Sequence, residues 1–237
     1  MIYNYKGTNI HYELLGNGKT HIVFLHGWGG SIDCFKFTKN YLNQDCSCLF
    51  IDFPPFGHSQ EPMHVFTMLD YVDFTEQIIN ICKLKNVILV GHSFGGRVAV
   101  ILANRQNVKK LFLIDSAGLK PKSTIKYFFK KNLYKLAKKL NIKYNIGSKD
   151  YKNLSINMKK IFVNIVNTYL EEYAININIP CIIFWGKKDK ETPLYMAKRY
   201  NKLIKNSQLI VYKDSGHFSY LDKINEYIAV LNYFIEN

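Results

Sequence analysis

Six short apolar runs recur along this chain, each closed by Gly, Pro, Asp or Asn, with helix-patterned stretches between most of them: "HIVFLHG", "CLFIDFP", "VILVG", "KKLFLIDSAG", "CIIFWG" and "SQLIVYKDSG". They are too short for buried helices and rich in β-branched and aromatic residues, so they read as strands. Between them lie "SIDCFKFTKNYL", "LDYVDFTEQIINICKL", helices over 94–104 and 196–204, and the closing "INEYIAVLNYFIE". In the second of these, Leu69, Val72, Phe74, Ile78, Ile81 and Cys82 fall on one broad helical face. Upstream, "IYNYKG" and "IHYELLG" form a hairpin, and "GNGK" turns the chain into the first of the six strands. Strands that alternate with helices pair in parallel and are covered on both faces. The expected fold is therefore α/β, a mostly parallel, doubly wound sheet.

One interval breaks the alternation, between the strand ending near Asp115 and the strand starting near Cys181. Within it Ile125, Phe128, Phe129, Leu133, Leu136 and Leu140 make one helical stripe, with lysines on most of the other face. The pattern predicts a helical cap over residues 119–174, inserted into a core made of 1–118 and 175–237. A basic amphipathic helix lying on a membrane surface has the same pattern and is the competing expectation.

Composition narrows the classes. An apolar share of 48% with 15% aromatics supports a substantial packed core. The net charge of +14 suggests nucleic acid, yet Arg97, Arg105 and Arg199 are the only arginines. Bidentate phosphate and base contacts favour arginine over lysine, so no nucleic-acid partner is expected. The opening residues lack a basic segment followed by an apolar run, and no apolar run is long enough to span a bilayer. A soluble cytoplasmic protein without stable membrane insertion is expected. The five cysteines, Cys34, Cys46, Cys48, Cys82 and Cys181, have no zinc-like spacing and read as reduced thiols.

The candidate chemistry centres on Gly91-His92-Ser93-Phe94-Gly95, a G-x-S-x-G pattern where a strand meets a helix. A bend that sharp strains the serine backbone, and Gly91 and Gly95 remove side chains that would collide across it. Gly96 lets the helix approach the sheet. A serine hydroxyl needs a base to become a useful nucleophile. His217, in the loop after the last strand, is the candidate; His11 and His21 lie in strand-like segments, and His58 and His64 in a solvated loop. His92 sits in the turn itself, its side chain expected to face away. The base in turn needs an acceptor for its second nitrogen. Asp189 at a strand-to-helix junction is preferred, with Asp115 at another strand end as its competitor.

Together "FLHGWGG", "DFPPFGHS", "GHSFGG", "WGKKDKETP" and "DSGHF" resemble the α/β-hydrolase superfamily, in its single-domain branch with a helical cap. The resemblance runs over nearly the whole chain. It implies Ser93 as nucleophile, His217 as general base then acid, and Asp189 as the orienting acid. It also implies the backbone N–H groups of Trp28 and Phe94 as oxyanion donors. Phe128, Phe129 and Phe218 are expected to line the substrate pocket. The loop Asp52-Phe53-Pro54-Pro55-Phe56-Gly57-His58-Ser59 departs from the family's D-x-P-G-x-G-x-S pattern, with Pro55 in place of a glycine.

The reaction implied is hydrolysis of a small carboxylic ester through an acyl-enzyme, as in carboxylesterases, with no cofactor and no metal. Serine at the bend disfavours the branches that carry aspartate there. Two alternatives stand: carbon–carbon bond hydrolysis of a dienoic acid by the same triad, and a non-catalytic small-molecule binding protein. His92 before the serine and Phe218 after the histidine, where dienoic-acid hydrolases often have a different residue and Trp, weigh against the first alternative.

Overall fold

The computed structural model describes residues 1–43, 45–122 and 154–237. Eight strands form one sheet: β1 (Ile2–Tyr5), β2 (Thr8–Leu15), β3 (Thr20–Leu25), β4 (Cys46–Ile51), β5 (Val87–His92), β6 (Val108–Ile114), β7 (Cys181–Gly186) and β8 (Ser207–Tyr212). Their spatial order is β1-β2-β4-β3-β5-β6-β7-β8. The β1–β2 hairpin and the β2–β4 pair are antiparallel, and every later pairing is parallel.

Eight α-helices are described: α1 (Asp33–Lys36), α2 (Met68–Ile81), α3 (Phe94–Leu102), α4 (Ile156–Asn167), α5 (Glu171–Ile175), α6 (Leu194–Leu203), α7 (Ser219–Asp222) and α8 (Ile224–Glu236). A 3-10 turn, Phe37–Tyr41, extends α1. The two-residue period of the strands sorts the core into two layers. Val23, Leu25, Leu49, Ile51, Leu89, Leu111, Leu113, Ile183 and Trp185 point to the face covered by α2, α3 and α6. Ile22, Phe24, Phe50, Ile88, Val90, Phe112, Ile114 and Phe184 point to the face covered by α1, α7 and α8. A sheet buried on both faces needs such unbroken apolar strands, so the expected doubly wound architecture is what the chain forms.

Helix α2 starts at a capping box, in which Thr67 accepts from the Asp70 N–H and Asp70 accepts from the Thr67 N–H. Its apolar face differs from the sequence expectation. Leu69 and Ile81 are exposed, while Tyr71, Thr75 and Ile79 are buried alongside Val72, Phe74 and Ile78. The buried stripe is turned because Tyr71 and Phe74 join an aromatic cluster with Phe53, Phe66 and Phe94.

Helices α4 and α5 lie in the interval between β6 and β7, and α5 packs against α3 and α6. The stripe from Ile125 to Leu140 lies outside the described residues. All five cysteines are free. Burial raises their thiol pKa values where they are enclosed, Cys48 to about 12, which keeps them protonated and unreactive. Among the described residues no helix is long and apolar enough to cross a membrane.

Candidate active site

Ser93 ends β5 and opens α3 with φ 50° and ψ −109°, a left-handed backbone that few non-glycine residues adopt. The bend is tight enough to exclude a side chain on either flank. A Cβ at Gly91 would lie 2.7 Å from the Gly95 carbonyl oxygen, and one at Gly95 would lie 2.0 Å from the Leu25 carbonyl oxygen. The start of α3 is thus pressed onto the end of β3, and the serine hydroxyl projects from the carboxyl end of the sheet.

The loop after β8 brings His217 to it. Nε2 of His217 is 2.9 Å from Ser93 Oγ, and Nδ1 is 2.8 Å from Asp189 Oδ2, in the loop after β7. The Ser93–His217–Asp189 relay therefore spans the ends of three strands. Asp189 is held in turn: its Oδ1 accepts from the Glu191 and Thr192 N–H groups, and Thr192 Oγ1 donates to Oδ2 at 2.5 Å.

Charge follows from these contacts. Burial works against the Asp189 carboxylate, but hydrogen bonds from His217 and Thr192 outweigh it and hold its pKa below the usual range. Burial likewise lowers His217, yet the Asp189 hydrogen bond and charge, with Glu191 and Asp115 behind it, raise its pKa on balance. An imidazole that readily holds a proton between a hydroxyl and a carboxylate is equipped to move one.

Asp115 does not reach the histidine. Its carboxylate accepts from the Gly186 N–H at 2.8 Å, the Ser219 N–H at 3.0 Å and the Ser219 hydroxyl at 2.6 Å. It joins the end of β7 to the residues just after His217, and burial pushes its pKa up to about 7.

The expectation that His92 faces away is corrected. Its ring is buried against His217, with centroids 4.9 Å apart, and its Nε2 lies 2.7 Å from the His217 carbonyl. The strand's alternation directs it under the histidine loop, and burial lowers its pKa to about 3, so it is neutral and donates to that carbonyl. Phe218 is half exposed and meets the His92 ring at a tilt of 37°, with centroids 5.2 Å apart.

On the other flank, the Phe94 N–H is the first of α3 and the Trp28 N–H follows the β3 loop; among the described residues neither donates to a protein acceptor. The Trp28 ring wedges between Phe56, Phe94 and Phe162, and its buried indole N–H has no hydrogen-bond partner among the described residues. The loop carrying Pro55 contains a cis Pro54–Pro55 bond. It is organised by Asp52, which accepts from the Ile32 and His58 N–H groups and pairs with His11. His26 Nε2 accepts from the Phe53 N–H.

His21 contacts the Lys85 carbonyl, and His58 and His64 are exposed, none of them at the site. Phe128 and Phe129 lie outside the described residues. Among the described residues no cluster of His, Cys, Asp and Glu could hold a metal. Sequence reasoning missed Thr192, His92 as a support for His217, and Glu191, whose Oε2 is 3.2 Å from His217 Nε2. Thr192 and Glu191 stood in plain view within "DKETP", next to the predicted acid.

The profile of the alpha/beta hydrolase fold family matches residues 20–142 and 144–224. An AB hydrolase superfamily protein of Bacillus subtilis is 26% identical, covering 92% of both chains. The pimeloyl-[acyl-carrier protein] methyl ester esterase of Proteus mirabilis is 23% identical over 94% of this chain and 95% of its own. Among solved structures, an esterase from Exiguobacterium antarcticum superposes with a TM-score of 0.79 at 23% identity, covering 100% of this chain and 98% of its own.

Proposed function

The chain belongs to the alpha/beta hydrolase fold family, and on that premise we propose that it is a serine hydrolase of the carboxylesterase type, cleaving a small carboxylic ester through an acyl-enzyme. The observation that carries the proposal is His217 bridging Ser93 Oγ and Asp189 Oδ2, with the serine on a left-handed bend.

In this reading Ser93 Oγ attacks the ester carbonyl while Nε2 of His217 takes its proton. The negative charge that develops on the carbonyl oxygen is met by the Trp28 and Phe94 N–H groups, each such donor contributing roughly 3 kcal/mol. The C–O bond to the alcohol then breaks, and the leaving oxygen receives the proton from Nε2. Water, deprotonated by the same nitrogen, releases the acid and restores Ser93. Asp189 keeps the Nδ1 proton in place and stabilises the imidazolium.

The division into a hydrolase core (1–118 and 175–237) and a cap (119–174) belongs to the same proposal. It is supported by Phe162 of α4 meeting the Trp28 ring beside the bend. The pocket assignment of Phe128, Phe129 and Phe218, and a cytoplasmic setting with only a small-molecule partner, also remain part of it. The decisive test is steady-state turnover of a short nitrophenyl ester by the wild type and Ser93→Ala. Multiple turnovers lost in the variant support the reading. Wild-type activity in the variant refutes it, and a stoichiometric burst without turnover favours a binding protein. Turnover of a dienoic acid in preference to esters favours carbon–carbon hydrolysis.

A further inference from the structure

A second carboxylate stands at the reacting nitrogen, across from Asp189. Glu191 Oε2 lies 3.2 Å from His217 Nε2, the same nitrogen that faces Ser93 Oγ at 2.9 Å. The Asp189 carboxylate is fully engaged by Nδ1, Thr192 and two backbone N–H groups. One of those is the Glu191 N–H, which fixes the backbone from which the Glu191 side chain reaches the site.

Among the described residues the lysines of the same loop do not take up this carboxylate. Lys187, Lys188 and Lys190 on the same loop are exposed, and Lys188 pairs with Asp214 at 3.7 Å. Asp115 is buried against Gly186 and Ser219, and His92, beneath the histidine, is neutral. Among the described residues the ion-pair contact of Glu191 is with His217.

Resting on the ester-hydrolase reading, we propose that Glu191 is a specificity-determining residue: it makes the leaving-group side of the site favour alcohols that carry a positive charge, such as an ammonium-bearing alcohol, over anionic ones. Nε2 must hand its proton to the leaving oxygen, so that oxygen has to come within hydrogen-bond reach of the same nitrogen. Whatever the oxygen carries then passes beside Glu191. A cationic substituent replaces the carboxylate's lost water with an opposite charge. An anionic substituent meets a like charge at a few ångströms. The side chain is 70% exposed, so the effect is moderated by solvent and salt.

The test compares kcat/KM for three esters of one acid: the choline ester, its uncharged 3,3-dimethylbutyl isostere and a 3-sulfopropyl ester. Each is measured with the wild type, Glu191→Gln and Glu191→Lys at low and high salt. The cationic-to-anionic ratio is expected on the order of tenfold in the wild type at low salt, near one in Glu191→Gln and below one in Glu191→Lys, shrinking as salt rises. A ratio that does not follow the charge at position 191 overturns the inference. The uncharged ester, tested with wild type and Ser93→Ala, reports separately on the underlying reading: absence of Ser93-dependent turnover sinks ester hydrolysis itself.

Discussion

Replacing Arg97 with methionine probes how the bend is coupled to the interval between β6 and β7. Arg97 is 7% exposed, and its Nη1 donates to the Ile165 carbonyl at 2.9 Å and the Thr168 carbonyl at 2.8 Å. These carbonyls close the C-terminal turn of α4, where a cation is favoured by the helix dipole. Burial lowers the Arg97 pKa, and among the described residues it has no carboxylate within ion-pair distance. Arg97→Met keeps the length of the side chain but removes two charge-assisted hydrogen bonds, at roughly 1.5–3 kcal/mol each, while the Ile165 carbonyl retains the Thr168 N–H at 3.2 Å. Removing a buried cation returns a few kcal/mol of desolvation. The net loss should be about 1–3 kcal/mol, read from the urea midpoint at constant m. Because the bonds join α4 to α3, amide exchange in α4 should accelerate more than in β5, which is anchored by its own ladder. A variant within about 0.5 kcal/mol of wild type, with α4 exchange unchanged, would refute the coupling.

Four further outcomes are expected. Asp189→Asn should lower kcat by about 10³–10⁴, whereas Asp115→Asn should cost at least a hundredfold less; the reverse order, by steady-state assay, would make Asp115 the orienting acid. The Asp115 pKa of about 7 lies above its unfolded value, so the cost of ionising it is absent below about pH 4, grows through pH 7 and is complete above it. Stability should therefore shift in favour of Asp115→Asn by up to about 4 kcal/mol between pH 4 and 8, and a difference flat across urea titrations at these pH values would contradict this. Gly95→Ala, with its Cβ 2.0 Å from the Leu25 carbonyl oxygen, should cost about 3 kcal/mol or more and lose activity together with stability; an unchanged Tm would show that α3 is free to move. Finally, since the His217 pKa is raised and the base must be neutral, kcat/KM for an uncharged ester should rise with pH and reach half its plateau above pH 6.5; a midpoint well below that value would contradict the Asp189 and Glu191 contacts.

The strands were legible because burial on both faces forces continuous apolar runs, and each of β3 to β8 overlaps one of the six stretches that announced them, with starts that differ by at most two residues. Ser93, Asp189 and His217 were legible for a different reason: local constraints mark each one, a glycine-flanked bend and two post-strand loops. What escaped is non-local. Leu69 fits the helical period of α2 as well as Tyr71 does, and only the aromatic cluster across the fold selects between them. Arg97 reads as a surface charge until α4, more than sixty residues later, supplies its acceptors. His92 was read from its place in the turn, whereas its position is set by the His217 carbonyl.

The order of the strands bears on when this chain can act during its own synthesis. From β5 onward each new parallel strand is added outside the last, so the sheet grows toward β8 in the order of translation. Ser93 is shaped by β3, β5 and α3, all complete within the first half of the chain. Its partner His217 arrives only after β8 and is seated by His92 and by Asp115 through Ser219. A nascent or prematurely terminated chain that ends before residue 217 would therefore present the bent serine without the imidazole that faces its hydroxyl. On the proposed function, such a chain would gain its serine reactivity only once the β8 edge and the loop behind it have docked.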